Sequence, residues 1–106
     1  MSMTILHKNE LGTIVQCNCC NEFQINIEHM VLILTKEEFS NFSYLINKIS
    51  LNEIYENDIS KQFMLVTPLK GVAFKLSFHE LFLFKELIDI SNLILTTKEI
   101  LNVKTN

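Results

Sequence analysis

From Thr13 to Glu38 the chain reads Thr-Ile-Val-Gln-Cys17, Asn-Cys-Cys-Asn-Glu22, Phe-Gln-Ile-Asn-Ile27, Glu-His29, Met-Val-Leu-Ile-Leu34, Thr-Lys-Glu-Glu38. Its hydrophobic period is two as far as Ile27 and becomes helical, at three- and four-residue steps, after Thr35. Thr13 to Cys17, and then Phe23, Ile25 and Ile27 alternating with Gln24, Asn26 and Glu28, predict two strands around the turn Asn18 to Glu22, a hairpin. Met30 to Leu34 is a continuous apolar run too short for a helix, which predicts a strand buried on both faces at the centre of the sheet. Thr35 and Glu38 then form a capping-box pair: the hydroxyl accepts an N–H three residues on and the carboxylate reaches back. In the helix that follows, Phe39, Phe42, Leu45, Ile46 and Ile49 share one face.

Outward from this stretch, Thr4 to His7 predicts a further strand that turns back through Lys8 to Gly12. Ser50 to Asp58 reads as a polar connection. Lys61 to Thr67 and Val72 to Leu76 read as strands joined by Pro68-Leu-Lys-Gly71, with Val72, Phe74 and Leu76 facing the core. Ser77 with Glu80 repeats the capping box, and a second, longer helix runs from Phe78 past Leu95 towards Val103. Laid over Thr35 to Asn47, the segment Ser77 to Asp89 matches without a gap, coinciding at Phe39/Leu81, Phe42/Phe84, Leu45/Leu87 and Ile46/Ile88. This suggests two β-β-α halves, 13–50 and 60–103, although any capped amphipathic helix after a strand shares much of the pattern. The fold class expected is α+β, an antiparallel sheet of about five to six strands with two helices on one face. At 106 residues a single domain, 1–106, is expected.

Composition narrows the function classes. All nine basic residues are Lys, scattered singly from Lys8 to Lys104, and the net charge is −3. Without Arg or a clustered basic face, nucleic-acid binding is not expected. No apolar run approaches the roughly 20 residues of a membrane span, and Met1 to Glu10 lacks the features of a secretory signal, so a cytoplasmic protein away from the membrane is expected. Only Gly12 and Gly71 are present, which argues against a phosphate-cradling loop, and no nucleophile elbow or H-E-x-x-H motif occurs. Helix capping explains Glu38 and Glu80, while Glu53, Glu56 and Asp58 lie in polar loop sequence. No catalytic residue is assigned.

The one compact chemical cluster is Cys17-Asn-Cys-Cys20. Cys17 and Cys20 have C-x-x-C spacing at a strand-to-strand turn, and thiolates suit zinc. Two ligands do not close a tetrahedral site, and Cys19 reads as too constrained by its neighbours to be an easy third. His29 falls roughly 20 Å from Cys17 at strand rise. His7 lies at the far end of the hairpin as well, and His79 opens the second helix. A four-thiolate zinc site built from two copies of the turn is therefore one expectation, and reduced, partly buried thiols are another. Thiol redox chemistry fits less well, since the motif runs into a strand rather than opening a helix that would lower a thiol pKa.

Gly12 to Phe42, with G-x-I-x-x-C-x-x-C, an alternating strand and then L-T-x-x-E-F-x-x-F, resembles a small family of uncharacterised bacterial proteins of about this length. The later L-S-x-x-E-L fits as well. The resemblance implies the fold boundaries and the pairing of Cys17 with Cys20, makes Cys19 a departure, and implies no activity. The function expected is a small non-catalytic binding or scaffolding module that self-associates. The alternatives are a zinc-stabilised module with Cys17 and Cys20 as ligands, shared across a dimer, and a thiol redox protein. The expected homodimer interface is a stripe of the second helix, where Phe82, Leu93 and Ile100 fall among Lys85, Glu86, Asp89 and Asn92, opposite the broad face of Leu83, Phe84, Leu87, Ile88, Ile90, Ile94 and Leu95.

Overall fold

The computed structural model describes residues 3–49 and 63–105, with no account of the side chains of 99–105. The predicted connection Ser50 to Asp58 lies outside the described residues. Alternating apolar residues build four strands, β1 (Met3–Lys8), β2 (Gly12–Cys17), β3 (Glu22–Ile27) and β4 (Met30–Thr35), which pair in sequence order as an antiparallel meander. The β2–β3 register sets Ile14 opposite Ile25 and Cys17 opposite Glu22. Helix α1 (Lys36–Asn47) follows β4 directly. A second antiparallel pair, β5 (Phe63–Val66) and β6 (Ala73–Leu76), leads into α2 (Phe78–Thr105).

The fold is α+β with six described strands, yet these form a sheet of four and a sheet of two. The short β5–β6 hairpin joins the core through side chains: Leu65, Phe74 and Leu76 are buried, and the Phe74 ring lies 5.5 Å from that of Phe84 on α2. One face of the large sheet is covered. Leu6, Ile14, Phe23, Ile25, Leu32 and Leu34 point into a single cluster with Phe39, Phe42 and Ile46 of α1 and Leu81, Phe84, Leu87 and Ile88 of α2. Phe23 stacks on Phe39 at 4.4 Å between ring centroids, and Phe42 meets Phe84 edge-on at 5.6 Å.

Two sequence expectations are corrected. Strand β4 is at the sheet edge and not its centre. Only Leu32 and Leu34 of its apolar run are buried, while Val31 and Ile33 face outward and are half exposed. A one-layer cover of helices buries every second residue, so an unbroken apolar run does not by itself mean two buried faces. Leu45 is also exposed, because Phe39, Phe42, Ser43 and Ile46 make the contact face of α1, with the Ser43 hydroxyl donating to the Phe39 carbonyl at 2.9 Å.

Both capping boxes are formed. Thr35 Oγ1 accepts from Glu38 N–H at 3.1 Å while Glu38 Oε1 accepts from Thr35 N–H at 2.9 Å. Ser77 and Glu80 make the same pair at 3.2 and 2.9 Å. Asn9 ties the β1–β2 turn to α2, its Oδ1 accepting from Leu11 N–H at 2.9 Å and its Nδ2 donating to the Leu83 carbonyl at 2.9 Å. Gly12 must be glycine for want of space: a Cβ there would run into the carbonyl of Asn26.

Candidate metal centre

Cys17 is the last residue of β2, and the loop Asn18 to Asn21 returns the chain to Glu22. The turn closes with Asn21 N–H donating to the Cys17 carbonyl at 3.2 Å, and Asn21 takes the left-handed conformation, φ 57°, that asparagine tolerates. Asn18 is braced against the neighbouring strand, its Nδ2 donating to Thr4 Oγ1 at 3.1 Å. This tight return sets three sulfurs side by side.

The Sγ atoms of Cys17, Cys19 and Cys20 all lie within 4.8 Å of one another, and Cys17 Sγ is 3.3 Å from Cys19 Sγ. Strand alternation turns Cys17 to the face opposite Ile14 and Gln16, away from the helices. It is nonetheless only 3 % exposed, and it takes no part in the main core cluster. Cys19 and Cys20 are exposed. The cluster thus has one thiol sealed at its base and two at its rim.

Hydrogen bonds among the thiols divide the protons unevenly. Donation from Cys20, and then from Cys19, lowers the Cys17 thiol from its ordinary value of 9.0 to about 7. Cys20 is pushed up to about 12, first by its bond to the Cys17 sulfur, then by loss of water around its own sulfur and by the Glu22 carboxylate. Cys17 therefore carries thiolate character, with donors already directed at it. Thiolate is the form that binds metal. Three thiolates on a zinc ion with bonds of about 2.3 Å would stand roughly 3.8 Å apart, a spacing within the 4.8 Å that contains all three sulfurs.

The cluster can hold a metal ion through Cys17, Cys19 and Cys20. Sequence reasoning paired Cys17 with Cys20 and set Cys19 aside. The chain turns within those very residues, so adjacency in sequence does not force the side chains apart. The histidines do not join them. His29 sits in the β3–β4 turn at the opposite end of β3. His7 pairs with Ile14 and contacts Glu86 of α2 at 3.3 Å, and His79 is exposed in the first turn of α2. The cysteine turn runs into β3 rather than a helix, so the helix-terminal placement of thioredoxin-like thiols is missing. On α2, Phe82 and Leu93 are 51 % and 65 % exposed, and the side chain of Ile100 lies outside the described residues.

No helix among the described residues is long and apolar enough to cross a membrane. No curated protein and no solved structure matches the chain. A family model does match, over residues 1–105, and it covers the cysteine turn, both capping boxes and all six described strands; the chain belongs to this family, a family of unknown function (DUF6686).

Proposed function

We propose that the protein is a small non-catalytic binding or scaffolding module whose hairpin tip carries one zinc ion on the thiolates of Cys17, Cys19 and Cys20. The observation that carries this reading is the placing of three sulfurs within 4.8 Å on one turn. Zinc accepts thiolate ligands in tetrahedral geometry, and soft sulfur donors disfavour magnesium and calcium. Three ligands from one chain leave a single position for water or for a group from a second copy, so the shared site need supply only one further donor. In the reducing cytoplasm proposed for this chain the thiols stay available to the metal. Self-association through Phe82 and Leu93 is part of the same reading, supported by their exposure on α2.

Elemental analysis of untagged protein, purified with zinc and reductant, tests the metal. The expected result is about one zinc per chain, with affinity reduced by a factor of ten or more in each of Cys17→Ser, Cys19→Ser and Cys20→Ser. Stoichiometric loading by a different metal would retain the site and overturn zinc. Metal-free protein that remains folded under those conditions would overturn both.

A further inference from the structure

Beside the cysteine turn, on the helix side of the sheet, a cleft of about 430 Å³ opens between the β2–β3 turn, the first turns of α1 and the middle of α2. We propose that this cleft binds a small organic oxyanion, independently of any metal at the cysteines. Its volume lies within the roughly 300–1,000 Å³ of small-molecule sites. Three separately anchored elements converge on it, and its floor is the stacked Phe23–Phe39 pair, both rings 2 % exposed and held at 12° to each other. Such a floor keeps its shape when a ligand arrives, which limits the ordering cost of binding.

The charge of the lining selects the ligand. Acidic residues outnumber basic ones in the chain by twelve to nine, yet no Asp or Glu is among the described residues that line the cleft, whereas Lys36 and Lys98 both are. The side-chain amides of Gln16, Asn21 and Asn92 add neutral donors around the walls. Ammonium and amide donors without a competing carboxylate among the described lining residues suit a carboxylate or phosphate group. On α1 the donor is the Lys36 ammonium rather than the backbone end of the helix, where the Thr35 hydroxyl already accepts from Glu38 N–H.

Titration of isotope-labelled protein with benzoate and with phenyl phosphate, followed by NMR, tests the proposal, with benzylamine as a probe of the same body and opposite charge. Saturable shifts of the Gln16, Asn21 and Asn92 side-chain amides are expected for at least one anion, at a dissociation constant below about 10 mM, a range normal for so small a probe. Lys36→Glu combined with Lys98→Glu should weaken that binding by about tenfold or more. Both lysines are exposed, so the fold should persist. Ser40→Trp, which fills the cleft without changing its charge, should abolish binding. Absence of saturable shifts, equal binding of benzylamine, or indifference to both variants overturns the site. Chelator-treated protein should bind the anion as metal-loaded protein does; binding confined to the loaded form overturns the claim of independence.

Discussion

Cys17 and Cys20 share a motif but not an environment, and their substitutions should separate structure from metal binding. Cys17 is 3 % exposed, so Cys17→Ser places a more strongly hydrated hydroxyl in a space made for a weakly polar thiol. Unfolded with urea in the presence of a chelator, Cys17→Ser should lose about 1–2 kcal/mol, while exposed Cys20→Ser should stay within about 0.5 kcal/mol of the parent. Equal losses in the two variants would mean that Cys17 is not sealed in the metal-free protein. With zinc the order should disappear, since each variant removes one ligand. The Cys17–Cys20 spacing was legible because C-x-x-C is a relation between residue types along the chain. Cys19 was not, since its reach depends on a turn in which Asn21 adopts φ 57° and Asn18 is tied to Thr4, contacts that no local pattern records. The same holds for Asn9, one asparagine among many until its amide is seen to bridge the β1–β2 turn and α2.

At the level of elements, the capping boxes were the most legible signals because everything they need lies within four residues. Each cap satisfies two N–H groups that the helix leaves unpaired. Thr35→Ala and Ser77→Ala should each cost about 1 kcal/mol, read as a lower urea midpoint at unchanged slope, and the double variant should show the sum, because the caps serve different helices. A midpoint unmoved by Thr35→Ala would show that packing alone holds the start of α1. Sheet position was less legible than strand identity. Whether Met30 to Leu34 lies at the centre or the edge depends on what pairs beyond β4, whereas the alternation that buries Leu32 and Leu34 is local. Likewise, Lys61 to Thr67 and Val72 to Leu76 read as strands joined by a turn, and Phe63–Val66 does pair with Ala73–Leu76, but only the tertiary arrangement shows this pair standing apart from the meander. The two hairpins before the helices differ as well: Glu28 and His29 alone separate Ile27 from Met30, while Pro68 to Gly71 separate Thr67 from Val72, whose carbonyl accepts from Thr67 N–H at 3.1 Å. The gapless likeness of the halves therefore runs through the second strand and helix but does not extend back across the turn.

Among the described residues apolar side chains are exposed on α2, on the outer face of the large sheet and on β5, where Met64 and Val66 are 72 % and 66 % exposed, and this bears on self-association. On α2, Phe82 and Leu93 are exposed, and Phe82 is flanked by Lys85, Glu86, Asp89 and Ile90 around a shallow depression. On the outer face of the sheet, Ile5, Val31 and Ile33 are 64 %, 55 % and 48 % exposed, and β4 presents an edge with neither lysine nor proline to discourage pairing. The helix stripe is the proposed dimer contact because Phe82 sits beside Lys85, Glu86 and Asp89, an apolar side chain with charged neighbours as at a small interface with a polar rim. Burying one Phe and one Leu is worth roughly 3–6 kcal/mol per protomer, so placing a Glu at either position should weaken association by more than about a hundredfold. Light scattering across a concentration series, up to high micromolar protein, should find a dimer that dissociates in Phe82→Glu and in Leu93→Glu with the fold retained, and persists in Ile33→Glu. The reverse sensitivity would move the interface to the sheet face. A monomer throughout that range would defeat self-association on either side.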